Sequence, residues 1–320
     1  MVRILIAMAA ALAAASGSSF AQDAYPTKPI RVVIGYAAGG GNDIIVRAMQ
    51  PELVKGLGQP IVIENKPGAM SIIAADYVAK AAPDGYTILM GPSGPMTINP
   101  ATYSKLSYNP LRDFAPISMI AAFPLIVTVD PRLPVKSVKD LVAWAKANPD
   151  KSNYASSAGI FQIATEMFKQ RTGTKIEMIL YKSSGESVQA VASGQVMMTM
   201  TDPPPATGPL KAGSVRGLAV TSPQRHPSWP DLPTMAEAGV PDMEVPVWTA
   251  FFAPAKTPAA IVARLQTEVA RVVQTPEVKA RFAGMGLQPI GSSSEDLGRR
   301  VAADIEKWTA VAKAANLKND

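Results

Sequence analysis

The sequence predicts an α/β fold in two domains, the second inserted into the first through two crossing strands. Three observations support this. Between residues 30 and 90, β-rich and amphipathic stretches alternate with short connections, as right-handed βαβ units on a parallel sheet do. Two long extended apolar stretches, residues 117–129 and 245–253, bracket a second alternating region, so each reads as a crossing. Three amphipathic helices after Thr257 should then return over the first sheet. With 48% apolar residues, a chain of 320 can bury two such cores.

The chain opens with an export signal at residues 1–21. Arg3 supplies the charge, residues 4–15 the apolar run, and Ser19-Phe20-Ala21 a small-x-small site, so cleavage is expected after Ala21. No later run approaches the ~20 apolar residues that cross a bilayer. The mature protein, from Gln22, is expected to be soluble in a bacterial periplasm. The absence of cysteine fits that compartment and excludes disulfide and thiolate chemistry. A net charge of +6 is spread without any block of like charges, so no nucleic-acid partner is expected.

The first strand (Val32, Val33, Ile34) enters a glycine turn, Gly39 to Gly41, and a helix expected to start at Asn42 or Asp43, one of which would be its N-cap. Ile45, Met49, Leu53 and Leu57 turn inward at four-residue steps, and Pro51 should kink or split the helix. Strand 61–64, a helix through Ile72 and Tyr77, and strand 87–90 follow; Gly91-Pro-Ser-Gly-Pro95 reads as a loop. Pro124 divides the first crossing. Beyond it come a helix capped by Ser137, strand 153–155, a helix from about Gln162, strand 177–180, a helix holding Val188 and Val191, and strand 196–201. Asp202 opens a loop of three prolines, a short helix runs to Ala212, and strand 216–220 follows. Thr234 and Glu237 form a capping-box pattern for a short helix ended by Gly239. After the second crossing, helices begin at Thr257-Pro258, with Thr257 as N-cap and Pro258 as the first helical residue, at Thr275-Pro276 and at Glu295. The expected domains are residues 22–124 with 251–320, and residues 125–250.

Small polar or glycine-rich loops follow three strands, at residues 39–42, 156–159 and 183–185. Ligands of open parallel sheets bind at strand carboxyl ends, so these loops could meet in one cleft. The first presents N–H groups at a positive helix end, an anion site. It does not bind nucleotides by either common motif: the glycines miss G-x-G-x-x-G spacing, and Asn42-Asp43 stands where a P-loop needs Lys-Ser/Thr. Gly91-Pro-Ser-Gly94 is no nucleophile elbow, and the single histidine, His226, lies in a polar loop. Triads and metal sites therefore lack their residues, and neither catalytic nor metal residues, nor a cofactor, are expected. Each cleft candidate has a plainer reading beside its ligand role. Asp43 would be an N-cap; Tyr36 packs on core or walls the cleft; Ser93, Ser156 and Ser157 are turn residues; Lys182 is solvated; Asp202 closes a turn. Trp248, on a crossing strand, is either core or lining.

Several motifs, in order, resemble one family. Tyr25-Pro-x-Lys-Pro-Ile-Arg31, Ala38-Gly-Gly-Gly-Asn-Asp43 and Leu57-Gly-Gln-Pro-Ile-Val-Ile-Glu-Asn-Lys-Pro-Gly68 are similar to the opening of tripartite tricarboxylate transporter substrate-binding proteins, the TctC-type or Bug (Bordetella uptake gene) family. Ala79-Lys-Ala-Ala-Pro-Asp-Gly-Tyr86, Gly194-Gln-Val196, Leu218-Ala-Val-Thr-Ser222 and Leu232-Pro-Thr-Met-Ala-Glu-Ala-Gly239 extend the likeness over nearly all the mature chain. The resemblance implies a type II-like, Venus-flytrap periplasmic binding protein with two crossover strands and a C-terminal helical return. It implies a non-enzymatic monomer that captures a small organic carboxylate by hinge closure and passes it to membrane transporter subunits. A periplasmic hydrolase, or an accessory or sensor module acting on a carboxylate compound, is the competing reading. Backbone donors around Tyr36, Ala38, Gly39, Gly40, Gly41, Asn42 and Asp43 would hold the carboxylate, with Ser93, Ser156, Ser157, Ala158, Phe161, Tyr181, Ser183 and Asp202. Three departures stand out. Tyr36-Ala-Ala38-Gly39-Gly40 lacks the usual proline; Ser156-Ser-Ala-Gly-Ile-Phe-Gln162 is shorter, lacks a histidine and adds Phe161; Tyr181-Lys-Ser183 replaces Tyr-Lys-Gly. A bulkier, more apolar second wall suits an aromatic or hydrophobic acid.

Overall fold

β1 (Ile30–Ile34) carries three consecutive core residues, Val32, Val33 and Ile34, each fully buried, because helices and loops cover both faces of its sheet. A computed structural model describes residues 25–314 and 317–318; the leader and its cleavage site lie outside the described residues. After β1 come α1 (Gly41–Leu57), β2 (Ile61–Asn65), α2 (Ile72–Ala79) and β3 (Thr87–Pro92). A π-type turn (Gly94–Ile98) and two short helices, α3 (Asn99–Thr102) and α4 (Pro110–Asp113), lead to β4 (Phe114–Phe123). The chain then builds a second sheet: β5 (Ile126–Val129), α5 (Val138–Ala147), β6 (Asn153–Ser156), α6 (Gly159–Thr172), β7 (Glu177–Leu180), α7 (Ser184–Ser193), β8 (Met198–Thr201), α8 (Pro203–Lys211) and β9 (Arg216–Val220). It returns through β10 (Val247–Pro254), α9 (Ala259–Val273), α10 (Pro276–Gly284), β11 (Gln288–Pro289) and α11 (Ser294–Ala314).

The strand orders are β11-β4-β10-β3-β1-β2 and β7-β6-β8-β5-β9. β1, β2 and β3 run parallel, as the alternation predicts. The sheets as wholes are mixed, which corrects the expectation of parallel sheets. β4 leaves for the second sheet and β10 returns from it, so the two must run in opposite directions, and β10 pairs antiparallel with both β4 and β3. Likewise β5 enters the second sheet against β8 and β9.

Several local expectations shift. α1 starts at Gly41 with Gly40 as N-cap, so neither Asn42 nor Asp43 caps it, and it runs uninterrupted through Pro51. Its Ile45, Met49, Leu53 and Leu57 are buried. α6 begins at Gly159, so most of the stretch read as a loop before Gln162 is its first turn. The expected short helix to Ala212 starts earlier, as α8: the prolines after Asp202 are its first turn instead of a loop, since proline suits first-turn positions where no N–H is needed. Thr234 and Glu237 make the reciprocal capping bonds, N–H to side chain at 2.8 and 3.1 Å, but the chain turns without forming a helix. Pro258, not Thr257, precedes α9 as its N-cap.

Ser137 caps α5 as its sequence predicts, accepting from the Asp140 N–H at 3.1 Å, while Asp140 accepts from the Lys136 N–H at 3.0 Å. Ser137→Ala should lower the unfolding free energy by about 1 kcal/mol, read from the urea midpoint, and Ser137→Asp should restore it. α9 and α11 pack against β4, and α11 also covers the π-type turn, so the C-terminal helices close over the first sheet. Trp248 is core: it is buried on β10 and donates its Nε1–H to Asp304 of α11 at 2.7 Å.

Candidate functional site

Each sheet has one place where its connections diverge. β1 passes through α1 to β2 on one side, whereas the chain leaving β3 turns to the other side, so a crevice opens beyond the carboxyl ends of β1 and β3. In the second sheet β6 connects through α6 to β7, and β8 through α8 to β9 on the opposite side. A second crevice therefore opens beyond β6 and β8. The two face each other across one cavity. Tyr36, Gly40, Gly41 and Asn42 come to its wall from after β1, with Pro92 and Gly94 from the end of β3. Ser157, Ala158, Ile160 and Phe161 come from after β6, and Asp202 from after β8. Ser184 of α7 and Phe123 and Val247 of the crossing segments complete it.

The two sides touch through hydrogen bonds from the backbone of the first loop. The Ala37 N–H donates to the Lys182 carbonyl at 3.0 Å, and the Gly41 N–H to Ser184 Oγ at 3.1 Å. Glycine is required at the contact: a Cβ on Gly185 would lie 2.4 Å from the Gly39 carbonyl oxygen, and one on Gly41 would lie 1.7 Å from Asp202 Oδ2. The cavity between them measures about 20 Å³, room for roughly one water. A larger groove of about 500 Å³ runs between α5 and residues 238–242, but it lies away from both crevices.

Four helices begin at this cavity, with Gly40, Ala158, Ser183 and Asp202 as the N-caps of α1, α6, α7 and α8. Only Ser183 caps with its side chain, accepting from the Glu186 N–H at 3.3 Å. The first-turn N–H groups of α1, α6 and α7, with their helix dipoles, favour an anion there although no Lys, Arg or His lines the wall; α8 opens on three prolines and offers no such N–H. Two hydroxyls at the wall, Tyr36 Oη and Ser157 Oγ, are buried without a protein partner. Such groups call for one, since a buried unpaired hydroxyl is costly. Asp202 is 3% exposed and receives the Thr201 hydroxyl at 3.2 Å. Burial pushes its carboxyl from 3.8 up to about 6, against the hydrogen bonds of Ser184 and Thr201. Its folded value lies above its ordinary one, so its contribution to stability is complete below 3.8 and is lost as pH rises through about 6.

Of the sequence candidates, the cavity wall gathers Tyr36, Gly40, Gly41, Asn42, Ser157, Ala158, Phe161 and Asp202. It does not include Ala38, Gly39, Asp43, Ser93, Ser156, Tyr181 or Ser183. Ala38 and Gly39 are exposed outside it, and Ser93 and Ser156 are fully buried. Asp43 braces the turn instead: its Oδ2 accepts from the Gly39 N–H at 3.0 Å and from Arg47 Nε at 2.9 Å. Burial raises the Asp43 carboxyl, but Arg47 and the Gly39 N–H outweigh it and hold the group below its usual value. Sequence reasoning missed Pro92, Gly94, Phe123, Ile160, Ser184 and Val247 as wall residues. Phe123 and Val247 carried a usable signal, since each stands beside the point where the chain crosses between sheets.

The model of the tripartite tricarboxylate transporter family receptor matches residues 45–317. Protein BugT of Bordetella pertussis is 32% identical over 322 residues, covering 99% of both chains. Among solved structures, R. palustris Rpa4515 with adipate is 38% identical, with a TM-score of 0.89 over 92% of this chain and 99% of that one. MatC of Rhodopseudomonas palustris, with bound malate, is 31% identical, with a TM-score of 0.86 over 90% and 99%.

Proposed function

The chain belongs to the tripartite tricarboxylate transporter receptor family, and on that premise we propose that it is a periplasmic solute-binding protein. It captures a small organic carboxylate between the two sheets, which act as two lobes, and delivers it to transporter subunits in the membrane. The observation that carries this reading is the meeting of both switch points, and of four helix N-termini, on one cavity without a basic side chain. Such a cavity holds an anion by backbone dipoles and hydroxyls. It has no histidine, lysine or thiol. The solved relatives with adipate and malate support a carboxylate ligand.

The ligand has an apolar body. Phe123, Phe161, Ile160, Val247 and Pro92 give the wall an apolar side, so a hydrophobic aliphatic or aromatic acid fits better than a small, highly hydroxylated one. A cavity of about 20 Å³ is far below the several hundred that ordinary ligand sites enclose, so the lobes must part for entry and close afterwards. Thermal-shift and calorimetric titration of the mature protein against adipate, malate, benzoate, phthalate and nicotinate, with adipamide as neutral control, tests the reading. At least one acid should raise the melting temperature and bind, with adipamide inert. Binding of adipamide with none of the acids would overturn it.

A further inference from the structure

We infer that Asp202 holds the captured acid through a shared proton: on binding, its carboxylate takes one proton from solvent and donates the resulting O–H to a carboxylate oxygen of the ligand. The inference rests on the carboxylate reading above and adds the form in which the acid is held. Asp202 stands at the N-cap of α8, where a carboxylate ordinarily accepts from the N–H groups of the second and third helical residues. Here those residues are Pro204 and Pro205, which have no N–H, and the side chain makes no cap bond. The carboxyl is instead turned to the cavity wall, with Oδ2 packed on Gly41 at the start of α1.

The groups that face it come from three elements. The α1 turn offers Gly41 backbone and Tyr36; α7 offers Ser184; β8 offers the Thr201 hydroxyl. None is a cation. The charged residues on those same elements are engaged elsewhere: Arg47 with Asp43 on α1, and Glu186 with the Lys182 N–H at the start of α7. No charged side chain among the described residues acts on Asp202. An incoming carboxylate would thus place two like charges in a dry cavity with only helix ends to offset them. Two carboxylates so placed cannot both stay ionised, and one proton between them converts repulsion into a short, charge-assisted O–H···O bond. Burial already holds the Asp202 carboxyl up at about 6, so little further bias is needed at neutral pH. No redox partner or leaving group is involved; solvent supplies the proton and recovers it when the ligand leaves.

The test is calorimetric titration of the wild-type protein with adipate, malate and benzoate in buffers of unlike ionisation enthalpy, which counts protons directly. Uptake of close to one proton per acid is expected near pH 7.5. The dissociation constant should fall roughly tenfold per unit as pH falls from about 8 to about 7. In Asp202→Asn the amide N–H donates without a proton, so uptake and pH slope should both vanish. Binding without proton uptake, or an Asp202→Asn slope equal to that of wild type, would overturn the inference and leave the carboxylate reading standing. Failure of all three acids to bind at any pH would overturn both. If Asp202→Asn does not fold, the proton count on the wild-type protein decides alone.

Discussion

Gly185→Ala should weaken ligand capture by roughly ten- to a hundredfold while leaving the unliganded fold as stable as before, or slightly more so. The added methyl would sit 2.4 Å from the Gly39 carbonyl oxygen and 3.1 Å from its carbon, which is backbone and cannot swing aside. Overpacking of this kind costs about 1–3 kcal/mol. Gly39 follows β1 of the first sheet and Gly185 lies in α7 of the second, so if the lobes part as proposed, the clash is relieved and the cost falls on the closed form alone. Within α7 itself, alanine is the better helix former, by less than the ~1 kcal/mol of a helix interior because Gly185 stands in the first turn. The two effects therefore carry opposite signs, a combination that simple misfolding does not produce. Calorimetry with whichever acid binds, urea melts without ligand, and small-angle scattering should show weaker binding, an unchanged or higher midpoint, and a larger radius of gyration. Gly41→Ala should act similarly through Asp202, whose Oδ2 and Cγ would lie 1.7 and 2.7 Å from the new methyl. Full affinity in both variants would mean that the acid is held without this contact.

Asp304→Leu should lower the unfolding free energy by roughly 2–3 kcal/mol. Asp304 joins α11 to the first sheet: Oδ2 accepts from Trp248 Nε1 at 2.7 Å and from Arg300 Nε at 2.8 Å. Trp248 is 1% exposed, so its N–H loses its partner in a place water does not reach. Arg300 is partly exposed and recovers solvent, which limits the loss. Trp248→Phe removes the donor along with its need, so the double variant should be less destabilised than the two single losses summed. Urea denaturation of all four proteins measures the coupling. Additive losses would mean that the hydrogen bond contributes nothing to holding α11 in place.

Much of this fold was legible in advance because its signals are local. The four-residue apolar steps of α1, the cap of α5, the start of α10 and the break at Pro124 each depend on neighbours within a turn or two. Where local signals conflicted, the reading slipped. Gly159 and the run after Asp202 look like loops because glycine and proline disfavour helix interiors, yet both are first-turn residues, where those objections vanish. The antiparallel strands were not legible, since a strand's direction in its sheet depends on where the chain has travelled before. Tyr36 and Asp43 stand seven residues apart in one motif, and sequence treated them alike as candidates. One faces the cavity with a bare hydroxyl, and the other turns back onto Gly39 and Arg47.

By itself the sequence determined the α/β class, the alternation of elements, the two crossings, the glycine turn after β1 and a charge-poor set of cleft loops. All of these follow from residue periodicity, backbone freedom and composition, which need no distant partner. Only the tertiary structure decided that residues near 40, 92, 158 and 202 share one wall, that Gly39 and Gly185 touch, and that Asp202 is left without a cation or its customary N–H donors. The reason is physical: burial and electrostatic isolation come from every group that packs around a site, and those groups arrive from segments far apart in the chain.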